Sequence, residues 1–254
     1  MEIKGLIKTT LIDYPGKVAC TVFLYGCNFR CGFCHNPELV LSELAPPGVP
    51  SEEGKLYSEE EILGFLVKRK GQLDAVCITG GEPLISLDKD FLKEIKGLGF
   101  LIKIDTNGSY PEKLKELIDE ELVDYVAMDI KASKEKYEEV VRAKIELDKI
   151  EETIKLISKL PNYEFRTTIV EEGAAPLGGV PPIAGLGGKE FKKMIAWLVE
   201  LGEGKIKRFA LQGFKKEEKM LDEKFKSVND TKKEYLEELK KIAEEFCDEV
   251  VVRV

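Results

Sequence analysis

Residues 18–34, VACTVFLYGCNFRCGFC, decide the fold. The first eight, Val18 to Tyr25, are apolar at nearly every position and rich in β-formers. That is the pattern of a strand buried on both faces of a parallel sheet. The chain then breaks at Gly26 into a loop carrying Cys27, Cys31 and Cys34. In α/β folds, active sites sit in loops just beyond the carboxyl ends of strands.

Similar apolar runs recur at Ala75–Thr79, Leu101–Asp105, Tyr125–Asp129, Phe165–Val170 and Arg208–Gln212, and Glu249–Val254 can add a terminal strand. Helical patterns separate them. Ser58 with Glu61 forms a capping box ahead of Ile62, Leu63, Phe65 and Leu66, with Gly71 as the stop. Further helices are predicted at about Lys89–Lys96, Pro111–Asp119, Lys149–Lys159, Lys189–Leu201 and Thr231–Phe246, with Asp148 and Glu151 as a second capping box. Strand–helix alternation with right-handed crossovers predicts one α/β domain over 1–254. Six repeats suit a partial, open (βα)6 TIM-like barrel, with a core of about 18–214, an N-terminal extension and a C-terminal helix–strand extension. Two Pro/Gly-rich stretches, 42–55 and 173–188, are too long for ordinary connections. They read equally as lids or partner-contact loops and as plain surface insertions.

Composition narrows the function classes. The net charge is −8 and no basic stripe is set among aromatics, so nucleic-acid binding is not indicated. No apolar run approaches the roughly 20 residues of a membrane span. Met1–Tyr14 is charged throughout and lacks the apolar stretch of a signal peptide, so a cytoplasmic chain with reduced thiols is expected. There, six cysteines point to metal ligation or catalysis rather than disulfides. Cys20, Cys77 and Cys247 stand alone in apolar segments and read as small core residues.

Three thiolates within a few residues suit a soft metal centre. A structural zinc would need a fourth ligand, and the only histidine, His35, adjoins Cys34. A 4Fe–4S cubane on three thiolates instead leaves one iron open to a small molecule bearing an amine and a carboxylate. Polar groups gather at the other strand ends. Gly80-Gly81-Glu82-Pro83 follows the second predicted strand, Asp105-Thr106-Asn107-Gly108 ends the third, and Met128-Asp129-Ile130-Lys131 ends the fourth. Arg166 lies among apolar neighbours in the fifth and needs a partner there. The sixth ends in Gln212-Gly213-Phe214.

CxxxCxxC with an aromatic, Phe33, before the last cysteine resembles the radical S-adenosylmethionine (SAM) superfamily. The resemblance implies that Cys27, Cys31 and Cys34 hold a catalytic 4Fe–4S cluster. It places Phe33 and Asn36 on the cofactor loop, and Gly80, Gly81, Glu82 and Pro83 at the SAM amino group. The opening LIDYPGKV at 11–18 and the run CNFRCGFCHNPELV at 27–40 resemble one branch in particular. This branch comprises the anaerobic ribonucleoside-triphosphate reductase activating proteins, close to pyruvate formate-lyase activating enzymes. The likeness spans about Ile3–Val170, and 173–188 departs from that branch's compact pattern.

By this resemblance Thr106, Asn107, Asp129 and Lys131 contact SAM. Asp105, Thr106, Met128 and Asp129 would hold a monovalent cation. Arg166 reaches the SAM carboxylate or pairs with a core carboxylate, and Gln212 stands where some activases use histidine. The implied chemistry is reductive cleavage of SAM to a 5′-deoxyadenosyl radical. That radical would take hydrogen from a glycine of a partner glycyl-radical enzyme, with a flavodoxin- or ferredoxin-type protein as electron donor. Two alternatives remain at this point: a radical SAM enzyme acting on a small molecule or modified nucleoside, and a non-catalytic Fe–S or zinc protein.

Overall fold

The computed structural model describes residues 1–40, 56–171 and 188–254. The stretches at 42–55 and 173–187 lie outside the described residues, and Gly188 opens a helix. The described residues gather into two compact units, 1–28 with 38–127, and 29–37 with 128–254.

The first unit runs β1 (Ile3–Thr10), β2 (Ala19–Leu24), α1 (Glu59–Lys68), β3 (Ala75–Gly80), α2 (Lys89–Gly97), β4 (Leu101–Thr106) and α3 (Pro111–Asp119). Strand β5 (Tyr125–Asp129) is divided between the units after Ala127. The second unit continues with α4 (Tyr137–Val141), α5 (Leu147–Ser158), β6 (Tyr163–Ile169), α6 (Gly188–Gly202), β7 (Ile206–Gly213), α7 (Lys233–Ala243) and β8 (Cys247–Arg253). Strand order follows chain order from β1 to β8. Strand β1 is antiparallel to β2, while β2–β3, β3–β4, β6–β7 and β7–β8 are parallel. This is the expected α/β class, a mostly parallel sheet with helices between strands, consistent with a partial barrel.

The apolar runs form strands because both their faces are covered. Val22, Leu24, Ile78, Ile102 and Ile104 are all fully buried, each adding roughly 1.5–3 kcal/mol of transfer free energy. The helices bury one stripe each. Phe91, Leu92 and Ile95 do so on α2, and Phe191, Met194, Ile195 and Leu198 on α6, at the helical spacing of three and four residues. The Ser58 capping box forms as expected: the Ser58 hydroxyl accepts from the Glu61 N–H at 3.1 Å, and the Glu61 carboxylate accepts from the Ser58 N–H at 3.0 Å. Helix α1 ends at Lys68, before Gly71, whose φ of +77° serves the following turn. The second capping box does not form. Helix α5 starts at Leu147 with Glu146 at its N-cap, so Asp148 lies in the first turn, where its charge still suits the helix dipole.

Strand β1 and the short α4 were not foreseen. The sequence IKGLIKTT alternates poorly, and its strand is exposed over Ile7–Thr9, as an edge strand can be. Cys20, Cys77 and Cys247 are buried as expected, and burial pushes the Cys20 and Cys247 thiols up to about 12. All six cysteines are free thiols. Among the described residues no helix is long and apolar enough to cross a membrane.

Candidate active site

In the first unit, the ends of β2, β3 and β4 are tied together by hydrogen bonds. The Gly81 N–H donates to the Leu24 carbonyl at 3.1 Å, and the Glu82 N–H to the Gly26 carbonyl at 2.7 Å. This approach requires the paired glycines. A Cβ on Gly81 would run into the Gly26 carbonyl and meet the Cys27 Cβ at 3.0 Å, and Gly80 has a φ of +129°, a region L side chains avoid. The two glycines thus let the backbone after β3 lie against the backbone that carries Cys27.

Glu82 is fully buried, and its carboxylate points into the protein. It accepts from the Leu84 N–H at 3.1 Å, the Thr106 hydroxyl at 2.9 Å and the Asn107 N–H at 2.6 Å. Pro83 opens the 3-10 turn Pro83–Ile85 behind it. The network continues toward the cysteine loop. Asn107 Nδ2 donates to Asn28 Oδ1 at 2.8 Å, Asn28 Nδ2 to Ser109 Oγ at 2.9 Å, and the Ser109 hydroxyl and N–H both donate to Asn107 Oδ1. Thr106 also accepts from the Gly108 N–H at 3.0 Å. The segment Asp105–Gly108 is therefore braced by Glu82 on one side and by the residue following Cys27 on the other.

In the second unit, residues 29–37 bring Cys31 and Cys34, and the Cys34 N–H donates to the Cys31 carbonyl at 3.1 Å. The loop is anchored by residues far along the chain. The Arg30 N–H donates to the Val141 carbonyl at 2.7 Å, and the Asp222 N–H to the Gly32 carbonyl at 3.2 Å. Arg142 pairs with Asp222 at 2.6 Å, and a Cβ on Gly32 would collide with Phe225 and Arg142. Phe33 is buried with its ring 6.0 Å from that of Phe225, Phe225 lies 5.9 Å from Phe214, and His35 lies 6.1 Å from Phe214. Asn36 is half-buried on the same loop.

Asp129 receives two cations. Arg166 Nε donates to it at 2.7 Å and Lys131 Nζ at 3.0 Å. Arg166 thus has the partner that its apolar surroundings call for, the Asp129 carboxylate. Burial alone would raise the Asp129 carboxyl, but Arg166 and Lys131 outweigh it and hold the group well below the usual carboxylate range. Burial would likewise depress the Lys131 ammonium, and Asp129 and Cys31 more than offset that. Burial pushes the Cys31 thiol up to about 11 against the pull of Lys131, so metal binding there must displace a proton. Met128 is fully buried, and Gln212 is half-buried on β7, in register with Thr168 and Arg253.

A carboxylate held low stabilises the fold above its unfolded value of about 4 and loses that contribution as pH falls toward its folded value. Asp129→Asn is therefore expected to lower stability at pH 7 by about 3 kcal/mol, because Arg166 and Lys131 lose their counter-charge. In urea melts the difference from wild type should narrow progressively below about pH 4. A difference that does not change with pH would contradict the ion-pair account.

Several of these residues were invisible to sequence reasoning. Asn28 and Ser109 carry the brace between β4 and the cysteine loop. Val141, Arg142, Asp222 and Phe225 hold the loop from elements more than a hundred residues later. One usable signal was Asn28 itself, an amide between two of the three cysteines.

Among the described residues no three His, Cys, Asp or Glu side chains converge on one ion position. In a cubane each thiolate binds its own iron, so the test of fit is the donor set. Three free thiols on one short loop, with the half-buried Lys131 drawing on Cys31, suit a 4Fe–4S cluster. The monovalent-cation set fits poorly: Asp105 is ion-paired with Lys103, Asp129 with Lys131 and Arg166, and the Thr106 hydroxyl is used by Glu82 and Gly108.

Residues 21–170 match the family model of the radical SAM superfamily. A protein of Methanocaldococcus jannaschii named as a glycyl-radical enzyme activating enzyme is 35% identical over 260 residues, covering 99% of this chain and 95% of its own. The pyruvate formate-lyase-activating enzyme of Clostridium pasteurianum is 33% identical over 140 residues, 51% of this chain and 52% of its own length. Among solved structures, TYW1 with a lysine-pyruvate adduct bound superposes with a TM-score of 0.57. It covers 90% of this chain and 72% of its own at 16% identity, a likeness of fold. With the cysteine loop, the glycine pair and the braced strand ends in place, and a family match over more than half its length, the chain belongs to the radical SAM superfamily, whose enzymes use a 4Fe–4S cluster and SAM.

Proposed function

We propose that this enzyme installs a glycyl radical on a partner protein of the anaerobic ribonucleotide reductase or pyruvate formate-lyase type. The observation that carries the reading is the similarity, over nearly the whole of both chains, to the M. jannaschii protein named for that activity. In this reading Cys27, Cys31 and Cys34 hold the cluster. When bound, cluster and SAM supply the one-electron chemistry and the 5′-deoxyadenosyl radical that abstracts hydrogen.

The remaining residues position and neutralise. Gly80 and Gly81 let the backbone before Glu82 face the SAM amino group, while the Glu82 carboxylate works inward, fixing Thr106 and Asn107. Phe33 and Asn36 line the cofactor loop. Lys131, with Asp129 and Arg166, presents a fixed charge pattern to the SAM carboxylate, and Gln212 takes the place of a histidine at the end of β7. Both the electron donor, of the flavodoxin or ferredoxin class, and the protein substrate are part of this proposal.

The test mixes anaerobically reduced, cluster-loaded enzyme and SAM with a candidate glycyl-radical enzyme encoded beside it. The expected result is a glycyl doublet in the EPR spectrum of the partner, formed with one 5′-deoxyadenosine per radical. SAM cleavage without a glycyl signal on any such partner would reject the reading and favour a small-molecule substrate.

A further inference from the structure

Two tripeptides mirror each other in sequence: Lys103-Ile104-Asp105 on β4 and Asp129-Ile130-Lys131, which begins at the last residue of β5. Residues two apart on a strand share a face, so Lys103 lies on the same side of β4 as Asp105. In the first unit Lys103 Nζ hydrogen-bonds Asp105 Oδ1. Lys103 is only 1% exposed, its ammonium lies 5.9 Å from the Tyr125 ring centroid, and Cys77 stands beside it in register on β3. A charge this buried has little water to turn to, so it stays with its carboxylate. In the second unit Asp129 binds both Lys131 and Arg166.

The charge balance follows directly. Within each unit the carboxylate already has a protein counter-charge: Asp105 has Lys103, and Asp129 has both Lys131 and Arg166. A monovalent metal ion needs oxygen donors carrying uncompensated negative charge. Here it would have to displace a buried ammonium or bind beside one, against like-charge repulsion.

We propose that Lys103 is a built-in counter-cation for Asp105, as Lys131 and Arg166 are for Asp129, so that this enzyme binds SAM without a monovalent metal ion. Lys103 acts as a positioning residue: it fixes the charge and orientation of Asp105, next to Thr106 and Asn107, and does not itself touch SAM. The inference rests on membership of the radical SAM superfamily and is independent of the identity of the partner.

The experiment measures SAM affinity of the cluster-loaded protein with the cluster oxidised, so that no sodium dithionite enters. Buffers contain tetramethylammonium, sodium or potassium as the sole added cation. Wild type is expected to bind SAM equally in all three. Lys103→Met keeps the apolar stem and removes the charge. It is expected to bind SAM about tenfold more weakly in tetramethylammonium and to recover in sodium or potassium, as a small ion takes the vacated place. A purely structural role for Lys103 would not be rescued by an alkali ion.

The proposal is overturned if wild type needs sodium or potassium to bind SAM. It is also overturned if folded Lys103→Met binds as wild type does in tetramethylammonium, or weakens without rescue. Should Lys103→Met fail to fold, the wild-type comparison across the three cations decides alone. Failure of wild type to bind SAM in any buffer would count against the cluster assignment instead, a separate outcome.

Discussion

Cys31→Ala is expected to yield a folded protein that neither holds a 4Fe–4S cluster nor cleaves SAM. The loop around Cys31 is fixed by contacts that do not involve its sulfur: Arg30 to Val141, Gly32 to Asp222, and Phe33 against Phe225. Removing one buried sulfur leaves a small void, costing on the order of 1–2 kcal/mol. Far-UV circular dichroism should therefore match wild type. Iron content and the cluster's visible absorbance should fall to background, and 5′-deoxyadenosine formation by more than ~100-fold, exceeding what loss of a supporting residue costs. Cys77→Ala is the control. Cys77 is buried in the first unit beside Tyr14, Ala19, Ala75 and Tyr125, and its loss should leave the cluster intact. Cluster and cleavage surviving in Cys31→Ala would place the metal centre elsewhere.

The second large effect is expected at Glu82. Glu82→Ala removes the acceptor for three buried donors, the Leu84 and Asn107 N–H groups and the Thr106 hydroxyl. Each stranded donor costs about 1–3 kcal/mol, so a total loss of about 3–6 kcal/mol is expected. SAM affinity should also drop about 10–100-fold, because the turn at Thr106–Gly108 loses its brace and Asn107 its tie to Asn28. Glu82→Gln keeps one acceptor oxygen but turns an amide donor toward the Asn107 or Thr106 donor, so it should fall between the two. Urea melts and equilibrium SAM binding measure these losses. A Glu82→Ala protein as stable as wild type, within about 1 kcal/mol, would mean the carboxylate does not organise the strand ends.

Much of this architecture was legible in the sequence because its causes are local. Strands β2 to β7 announce themselves as apolar runs, and the Ser58 capping box is a four-residue pattern closed by its own side chains. The cysteine loop and the strand-end motifs are likewise contiguous. What stayed hidden depends on residues meeting across the chain. The Asn28–Asn107 bond spans 79 positions, and the Arg142–Asp222 pair spans more still. The inward aim of Glu82 could not be read from GGEP, since the same tetrapeptide would allow the carboxylate to face a ligand. Arg166 shows the boundary well. Its apolar neighbours said it needed a partner, but only the fold names Asp129. Strand β1 escaped because an edge strand need not alternate, and the Asp148 box failed because Glu146 took the N-cap position.

The most direct test of the account is SAM cleavage by the protein alone. Anaerobically reconstituted enzyme, reduced and given SAM, is expected to produce methionine and 5′-deoxyadenosine in equal amounts, with SAM addition shifting the EPR signal of the reduced cluster. A fully loaded cluster that yields no 5′-deoxyadenosine and whose signal ignores SAM would contradict it.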